Sequence, residues 1–339
     1  MGIQYLNRLF REKCELSASN ANANNASNAN NTIKQIPFAD LKGKRIAIDA
    51  SIYMYRYVAE NTLIESMFQM ISLFKKNEII PIFVFDGKPP IEKKELIKFR
   101  REEKVQYEQQ FNELQQKLKE VRDHEERRDL NGELDSLRKK FVRLRNEDIA
   151  QVKNLLTLYG VNYCEADGEA DQLCAKLVLA EEVYACLSED MDLFVYGCPR
   201  VLRYISLLNS TFVEYNLSRI LECLQLTFKE FKEICVISGT DYNYIECKTN
   251  KANLYTTMTH YEQYVIYKNL VAPTRQECQD FYEWLHANTS YINDYPKLKE
   301  TYAMFDLSQM EITKFNCANT EVNVPKLHKF LENFDFVFT

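Results

Sequence analysis

The chain has 339 residues, 46% of them hydrophobic, which is enough for one large domain or two ordinary ones and excludes global disorder. A net charge of −6 argues against nucleic acid if only the total is counted, so the local distribution of charge has to decide. No apolar run reaches the roughly 18 residues that cross a bilayer, no secretory leader opens the chain, and the ten cysteines form no C-x-x-C pair, the pattern of free thiols in a reducing compartment rather than of a zinc site.

The opening "MGIQYL" has Gly2 but lacks the Ser or Thr at position 6 of a myristoylation signal. Residues 17–32, "SASNANANNASNANNT", offer no apolar side chain larger than alanine, so a flexible surface insertion is expected there. "KRIAIDAS" (44–51) and "IIPIFVFDG" (79–87) are apolar, β-rich runs ending in Asp with a helical stretch between them, a βαβ pattern with two buried parallel strands. "GVNYCEA" (160–166) and "VYACLSED" (183–190) flank a further helix, and "VLRYIS" (201–206) reads as another strand. From Leu217 onward the pattern is mostly helical. Strands alternating with helices define an α/β fold, a parallel sheet flanked by helices, with a helical C-terminal part.

Residues 92–158 differ in character. They are charged and poor in Gly, with Tyr107, Phe111, Leu114, Leu118 and Val121 at helical spacing. A helical hairpin is expected, turning near "DLNGE" (129–133). A solvated helical face accounts for most of its charge. The two ends are different: residues 88–104 carry seven Lys/Arg against four acids, and "RKKFVRLR" (138–145) carries five Lys/Arg and no acid. A basic collar at the mouth of a hairpin suits a phosphate backbone.

Seven carboxylates fall where strands end, which is where sites form in parallel α/β sheets. Asp49 and Asp86 close the first two strands. Glu169 and Asp171, in "ADGEADQ", straddle a helix start, where the first residue is not yet helical and both can face one point. Asp190 and Asp192, in "LSEDMDLFVYG", are expected on extended backbone, which would put both on one face. Asp241, in "SGTDY", ends an apolar segment at a Gly-marked turn. Any one alone is more often a helix cap or turn residue. Seven converging acids would repel one another and so imply cations, and all-oxygen ligation with no His or Cys nearby points to Mg²⁺ or Mn²⁺. Two such ions roughly 4 Å apart would activate a water and stabilise the leaving oxygen of a phosphodiester. One metal, or a phosphatase, remains open on these residues alone.

"MGIQ", "GKRIAIDASIYMY", "FVFDGKPP", "EADGEAD", "SEDMDLFVYG" and "SGTDY" stand in the order and rough spacing of the flap endonuclease / XPG family of structure-specific 5′ nucleases, which the chain resembles over 1–16, 33–104 and 139–245. The resemblance implies a PIN-like 5′ nuclease fold in four parts: an N-terminal nuclease half (1–91), a helical arch (92–158), an internal nuclease half (159–245) and a helical C-terminal region (246–339) with a degenerate helix-hairpin-helix. It implies a Mg²⁺-dependent endodeoxyribonuclease with two ions per site, Mn²⁺ substituting, that leaves 5′-phosphate products. Asp86, Glu169 and Asp171 match the first metal cluster, Asp190, Asp192 and Asp241 the second, and Asp49 the acid behind the first. Lys93 and Arg100 match the basic pair that grips the scissile phosphate. Seven residues apart is about two helical turns, so both would point the same way. Tyr55 matches the aromatic on which the terminal base stacks, its alternative being core packing. Lys139, Lys140 and Arg143 match residues steering the flap, and Gly2 would lie near the active site.

The implied substrate is branched DNA with a 5′ flap, handled by a monomer in replication and repair, with no membrane partner, in the nucleus or at a viral replication site. The chain departs from the pattern after Asp241. "NYIECKTNKAN" (243–253) has no Gly where the family places a Gly-x-Gly turn, so only Lys248 and Lys251 are left to reach phosphate, and weaker duplex anchorage is expected. A basic tail with a sliding-clamp peptide is also missing, which argues against a clamp contact, and the aromatics of "LENFDFVFT" read as core. Two rivals stay open: a 5′→3′ exonuclease of the same family, and a catalytically inactive nucleic-acid-binding member.

Overall fold

A computed structural model describes residues 2–20, 32–271, 279–312 and 321–337. The chain divides into two compact units, Met1–Ile48 with Asp171–Lys314, and Asp49–Ala170 with Phe315–Thr339.

The first unit opens with helix α1 (Leu6–Asn20) and strands β1 (Ile33–Pro37) and β2 (Arg45–Asp49). Strands β5 (Ala185–Leu187), β6 (Arg200–Ser206) and β7 (Thr211–Asn216) complete a sheet segment in the order β1-β7-β6-β5-β2. Ile46 pairs with Ala185 and Ile48 with Leu187 in parallel register, and Cys186 pairs with Val201 in the same sense. All six of these residues are fully buried, so the parallel centre reads as an unbroken apolar run rather than an alternating one. Beyond it, β6–β7 and β7–β1 are antiparallel. Those two outer strands are additions to the expected parallel core: β1 is a five-residue strand ending in Pro37, and β7 is the return arm of a hairpin.

The second unit holds α2 (Ala50–Ala59), α3 (Leu63–Lys76), β3 (Ile80–Phe85), α4 (Lys94–Glu120), α5 (His124–Lys140), α6 (Asn146–Leu158), β4 (Asn162–Glu165) and α15 (Val324–Glu332). Strands β3 and β4 run parallel, Ile82 opposite Asn162. Seven strands, mixed in direction and flanked by helices, are thus described in all.

Helices α4 and α5 form an antiparallel hairpin. Lys104 donates to the Val142 carbonyl at 2.8 Å, Arg143 pairs with Glu108 at 2.7 Å, and Lys117 pairs with Glu126 at 3.5 Å. The turn falls at 121–123, not at 129–133 as expected. Asp123 caps α5 by accepting from the Glu125 and Glu126 amides, while Gly132 sits inside that helix. The glycine costs about 1 kcal/mol there. The buried stripe Leu130, Leu134, Leu137 outweighs it at roughly 1.5–3 kcal/mol per side chain.

Of the insertion expected at 17–32, residues 17–20 and 32 are described and have regular partners or helical backbone. The α1 backbone stays helical through Asn20, and Thr32 is buried with its carbonyl accepting from the Asn216 amide at 3.0 Å. Residues 21–31 lie outside the described residues. Of the aromatics of "LENFDFVFT", Phe336 is half-buried and packs edge-on against Phe68 at 5.3 Å, Phe334 is half-buried, and Phe338 lies outside the described residues. No helix among the described residues is long and apolar enough to cross a membrane.

Candidate active site

In the second unit, two loops are laced together by backbone. The Gly87 amide donates to the Gly168 carbonyl at 2.7 Å and the Ala166 amide to the Phe85 carbonyl at 2.9 Å. A Cβ on Gly87 would lie 2.0 Å from the Ala166 carbonyl oxygen, so only glycine permits this approach. The lacing delivers Asp86, one residue past β3, to the start of α7 (Ala170–Leu179), where its Oδ1 accepts from the Ala170 amide at 2.9 Å. Glu169 stands just before that helix, as its sequence position predicts. Its Oε1 receives Lys93 Nζ at 2.7 Å, and both side chains are largely buried. Asp49 closes β2 and is also buried, its carboxylate leaving the first turn of α2 uncapped.

Lys93 ends a 3₁₀ turn (Ile91–Lys93) one residue ahead of α4, whereas Arg100 is exposed on the helix itself. The two differ in environment: one is committed to Glu169, the other faces outward. Tyr55 is 42% exposed while Tyr53 and Tyr57 are buried, because those two share a helix face and Tyr55 points away from it. Core packing is thereby excluded for Tyr55. Burial foremost, then Asp86, raises its phenol, and Arg100 opposes them. Lys104 Nζ stands 5.1 Å over its ring. Tyr55, Asp86, Leu144, Asn146 and Lys153 line one cavity. Of the other predicted basic residues, Lys139 is exposed, Lys140 lies 5.1 Å over the Tyr107 ring, and Arg143 is held by Glu108.

In the first unit the expected extended backbone at Asp190 and Asp192 is not found. Strand β5 stops at Leu187, and helix α8 (Asp192–Val195) begins after a turn in which Met191 is helical at φ −82°. Ser188 Oγ accepts from the Asp190 amide at 3.1 Å and Asp190 Oδ1 from the Asp192 amide at 3.0 Å. These side-chain bonds replace the sheet ladder, and Leu193, Phe194 and Val195 are buried from a helix instead.

The two acids still meet. A Cβ on Gly2 would lie 2.5 Å from Asp190 Oδ1 and 2.6 Å from Asp192 Oδ1, so the two oxygens are at most about 5 Å apart. At that separation two carboxylates repel by roughly 3 kcal/mol at an effective dielectric of ~20. Gly2 has φ +74°, so both its backbone and its surroundings select glycine. Asp171 lies in the first turn of α7, buried, with Oδ1 accepting from the Gln172 amide at 2.7 Å. Asp241 follows helix α10 (Phe228–Ser238) rather than a strand. Its loop turns at Gly239 (φ +112°) and is pinned by Asn243, which accepts from the Thr240 amide at 2.7 Å and donates to the Val236 carbonyl at 2.8 Å.

Several supporting residues escape the sequence reading. Gln172 Nε2 donates to Tyr242 at 2.8 Å and to Tyr196 at 3.2 Å, and the two phenols are 2.8 Å apart. Burial raises the Tyr196 phenol well above its ordinary value, with Asp171 next among the causes. Gln172 and Tyr242 directly follow Asp171 and Asp241, which is the one signal that could have found them. Arg203 holds the acid-bearing turn, donating to the Glu189 carbonyl at 3.0 Å and pairing with the Glu189 carboxylate at 3.4 Å. Glu189 thus faces a basic neighbour and not its two acidic ones.

Among the described residues, no three His, Cys, Asp or Glu are gathered tightly enough to hold one ion. The convergence of seven expected from sequence is not drawn that close. Asp86 and Glu169 turn to an amide and a lysine of the protein instead. The Asp190–Asp192 pair does fit a hard cation: all-oxygen donors, mutually repelling, pointed at a common place.

Helix α11 (Tyr244–Asn250) and helix α12 (Leu254–Val271) form despite the absent glycines. Lys251 takes the left-handed position at φ +55° that glycine would fill. Lys248 stands 5.9 Å from the Tyr244 ring.

Comparison with known proteins places the chain among its relatives. Residues 24–107 match the XPG N-terminal domain and 160–241 the XPG I-region. Flap endonuclease 1 of Bos taurus is 32% identical over 218 residues, 59% of this chain and 54% of the relative. Flap endonuclease 1-A of Oryza sativa is 32% identical over 237 residues, 64% and 59% respectively. The chain therefore spans somewhat over half the length of the curated relatives it matches. The catalytic core of Rad2 in complex with DNA substrate aligns over 98% of this chain and 95% of that one with TM-score 0.62 at 19% identity. Flap endonuclease-1 from Methanococcus jannaschii aligns over 90% and 91% with TM-score 0.58 at 22% identity. The fold is that of a PIN-like α/β protein, a mixed sheet flanked by helices. More particularly, the chain carries the N-terminal domain and the I-region of the XPG family, over residues 24–107 and 160–241.

Proposed function

We propose that the chain is a structure-specific 5′ flap endonuclease of DNA, acting at the junction of single strand and duplex in replication and repair. The observation that carries this reading is the approach of Asp190 Oδ1 and Asp192 Oδ1 to one point beside Gly2, in a chain whose sequence matches both XPG regions. Asp190, Asp192 and Asp241 would hold one Mg²⁺, and Asp86, Glu169 and Asp171 a second, with Asp49 behind them; Mn²⁺ has the same ligand preference. When bound, such ions supply a nucleophile at neutral pH and charge stabilisation at the leaving oxygen.

The chain's own side chains supply the rest. Lys93, buried against Glu169, balances that carboxylate and is positioned to exchange it for a phosphate oxygen. Arg100 and Lys104 bring positive charge to the exposed face of Tyr55, which offers a surface for an unpaired base. Lys139, Lys140 and Arg143 extend that charge along the hairpin. Lys248 and Lys251 are the duplex contacts, and the left-handed Lys251 keeps the turn between α11 and α12 without glycine.

The test is cleavage of a 5′-labelled double-flap DNA in Mg²⁺. A single product cut one nucleotide into the duplex is expected. A ladder of short products would identify an exonuclease instead, and binding with no product at any Mg²⁺ or Mn²⁺ concentration would leave an inactive DNA-binding member.

A further inference from the structure

Two tyrosines of the first unit have the left-handed backbone that bulky residues avoid: Tyr5 at φ +66° and Tyr204 at φ +50°. Strain of this kind persists where the surrounding structure imposes it, and it clusters at ligand-binding surfaces. Neither ring gains burial from it, for Tyr5 is 50% exposed and Tyr204 39%. Tyr5 lies against Tyr255 of α12, also 41% exposed, with ring centroids 5.5 Å apart and planes tilted by 50°. Between the two strained residues runs the first turn of α1. Arg8 there is exposed and pairs with Glu12 at 2.6 Å, a surface pair that a phosphate can displace, and Arg11 stands 5.2 Å over the Tyr204 ring. Three residues before Tyr5 is Gly2, in contact range of the Asp190 and Asp192 carboxylates.

We infer that Tyr5 and Tyr255 form an aromatic platform for an unpaired nucleobase of bound DNA, with Arg8 and Arg11 on the adjoining phosphates. Half-open rings provide a π-face that any base can use, and the arginines supply the sequence-independent charge. An anchor for α1 would explain an aromatic at position 5 only if the ring were buried and its backbone relaxed; it is neither. The inference rests on the nuclease reading above, adding to it a base-stacking site distinct from Tyr55, which belongs to the other unit.

The experiment measures the affinity of a fluorescein-labelled 5′-flap DNA by anisotropy, with Ca²⁺ in place of Mg²⁺ to prevent cleavage. Thermal melts of the same proteins run in parallel. Tyr5→Gly relieves the left-handed strain, so its Tm should equal or exceed that of the wild type while affinity falls about tenfold, at the low end of what one stacked base provides. Tyr255→Ala should lose a similar factor and Tyr255→Phe should keep wild-type affinity, since the ring and not the hydroxyl is used. Affinities of Tyr5→Gly and Tyr255→Ala within twofold of wild type would overturn the inference. So would equal losses for Tyr255→Phe and Tyr255→Ala, or a Tm drop in Tyr5→Gly that accounts for its loss of binding. A wild type that cleaves the flap in Mg²⁺ while these variants bind normally would fault only the platform. A wild type that never cleaves would fault the nuclease reading.

Discussion

The acids of the two units are held differently. In the second unit Glu169 is paired to a buried lysine at 2.7 Å and Asp86 takes the Ala170 amide, so those carboxylates meet donors of the protein itself. In the first unit Asp190 and Asp192 lean toward each other beside Gly2, and Arg203 is spent on Glu189 and the turn rather than on the pair. Two like charges held close together gain from a cation between them, whereas a cation that reaches Glu169 meets a lysine already competing for that carboxylate.

Removing divalent metal breaks the comparison most severely. With EDTA, cleavage of flap DNA should fall by at least ~10⁴-fold, and equilibrium binding by far less. Cleavage persisting in EDTA would mean that the paired acids serve some other purpose.

Lys93→Ala sharpens it next. It should lower single-turnover cleavage by about 10²-fold. It should also reduce the Mg²⁺ concentration for half-maximal rate, because Glu169 loses its internal partner. An unchanged Mg²⁺ requirement would show that the lysine does not compete for that carboxylate.

Gly2→Ala tests the first unit. Its Cβ would press on both aspartate oxygens from a left-handed backbone, so about tenfold slower cleavage is expected, with little change in Tm. A rate equal to wild type would mean that the N-terminus shifts away freely.

The smallest effect lies away from both acid sets and serves as a control. Burial raises the Glu233 carboxyl to about 7, whereas the neighbouring Glu230, held by Thr227 and Lys268 against the opposing effect of burial, falls to about 2. Glu233 binds its proton more tightly when folded. Its stabilisation is therefore full below about 4.5 and is lost as pH rises through 7. Glu230 acts oppositely, stabilising above about 4.5 and losing that contribution as pH falls toward 2. Glu233→Gln should thus gain Tm relative to wild type between pH 5 and pH 8. A difference that does not change with pH would refute the shift.

The parallel centre of the fold was legible because both of its faces are buried: "RIAID", "IPIFVF" and "ACL" are continuous apolar runs bounded by polar residues. Strands β1 and β7 were not, since "IKQIP" and "TFVEYN" interrupt their apolar residues with polar ones and each gains its place from a neighbour's edge. The hairpin turn was misplaced because Asn131–Gly132 is a strong local turn signal that a leucine stripe overrides. At the site, the residue types were readable and the local geometry was not. The two-residue spacing of Asp190 and Asp192 suggested a strand, but their convergence comes from a Ser188–Asp190–Asp192 chain of side-chain-to-amide bonds. Tyr196 and Arg203 are distant in sequence from what they support, so no local pattern marks them.

The most direct test of the nuclease reading is Asp190→Ala on a 5′-labelled flap DNA, with cleavage rate in Mg²⁺ and affinity in Ca²⁺ measured on the same preparation. A loss of at least ~10³-fold in rate with affinity within about threefold of wild type is predicted. Cleavage surviving within tenfold of wild type would contradict the assignment of the Asp190–Asp192 pair as the centre of the chemistry.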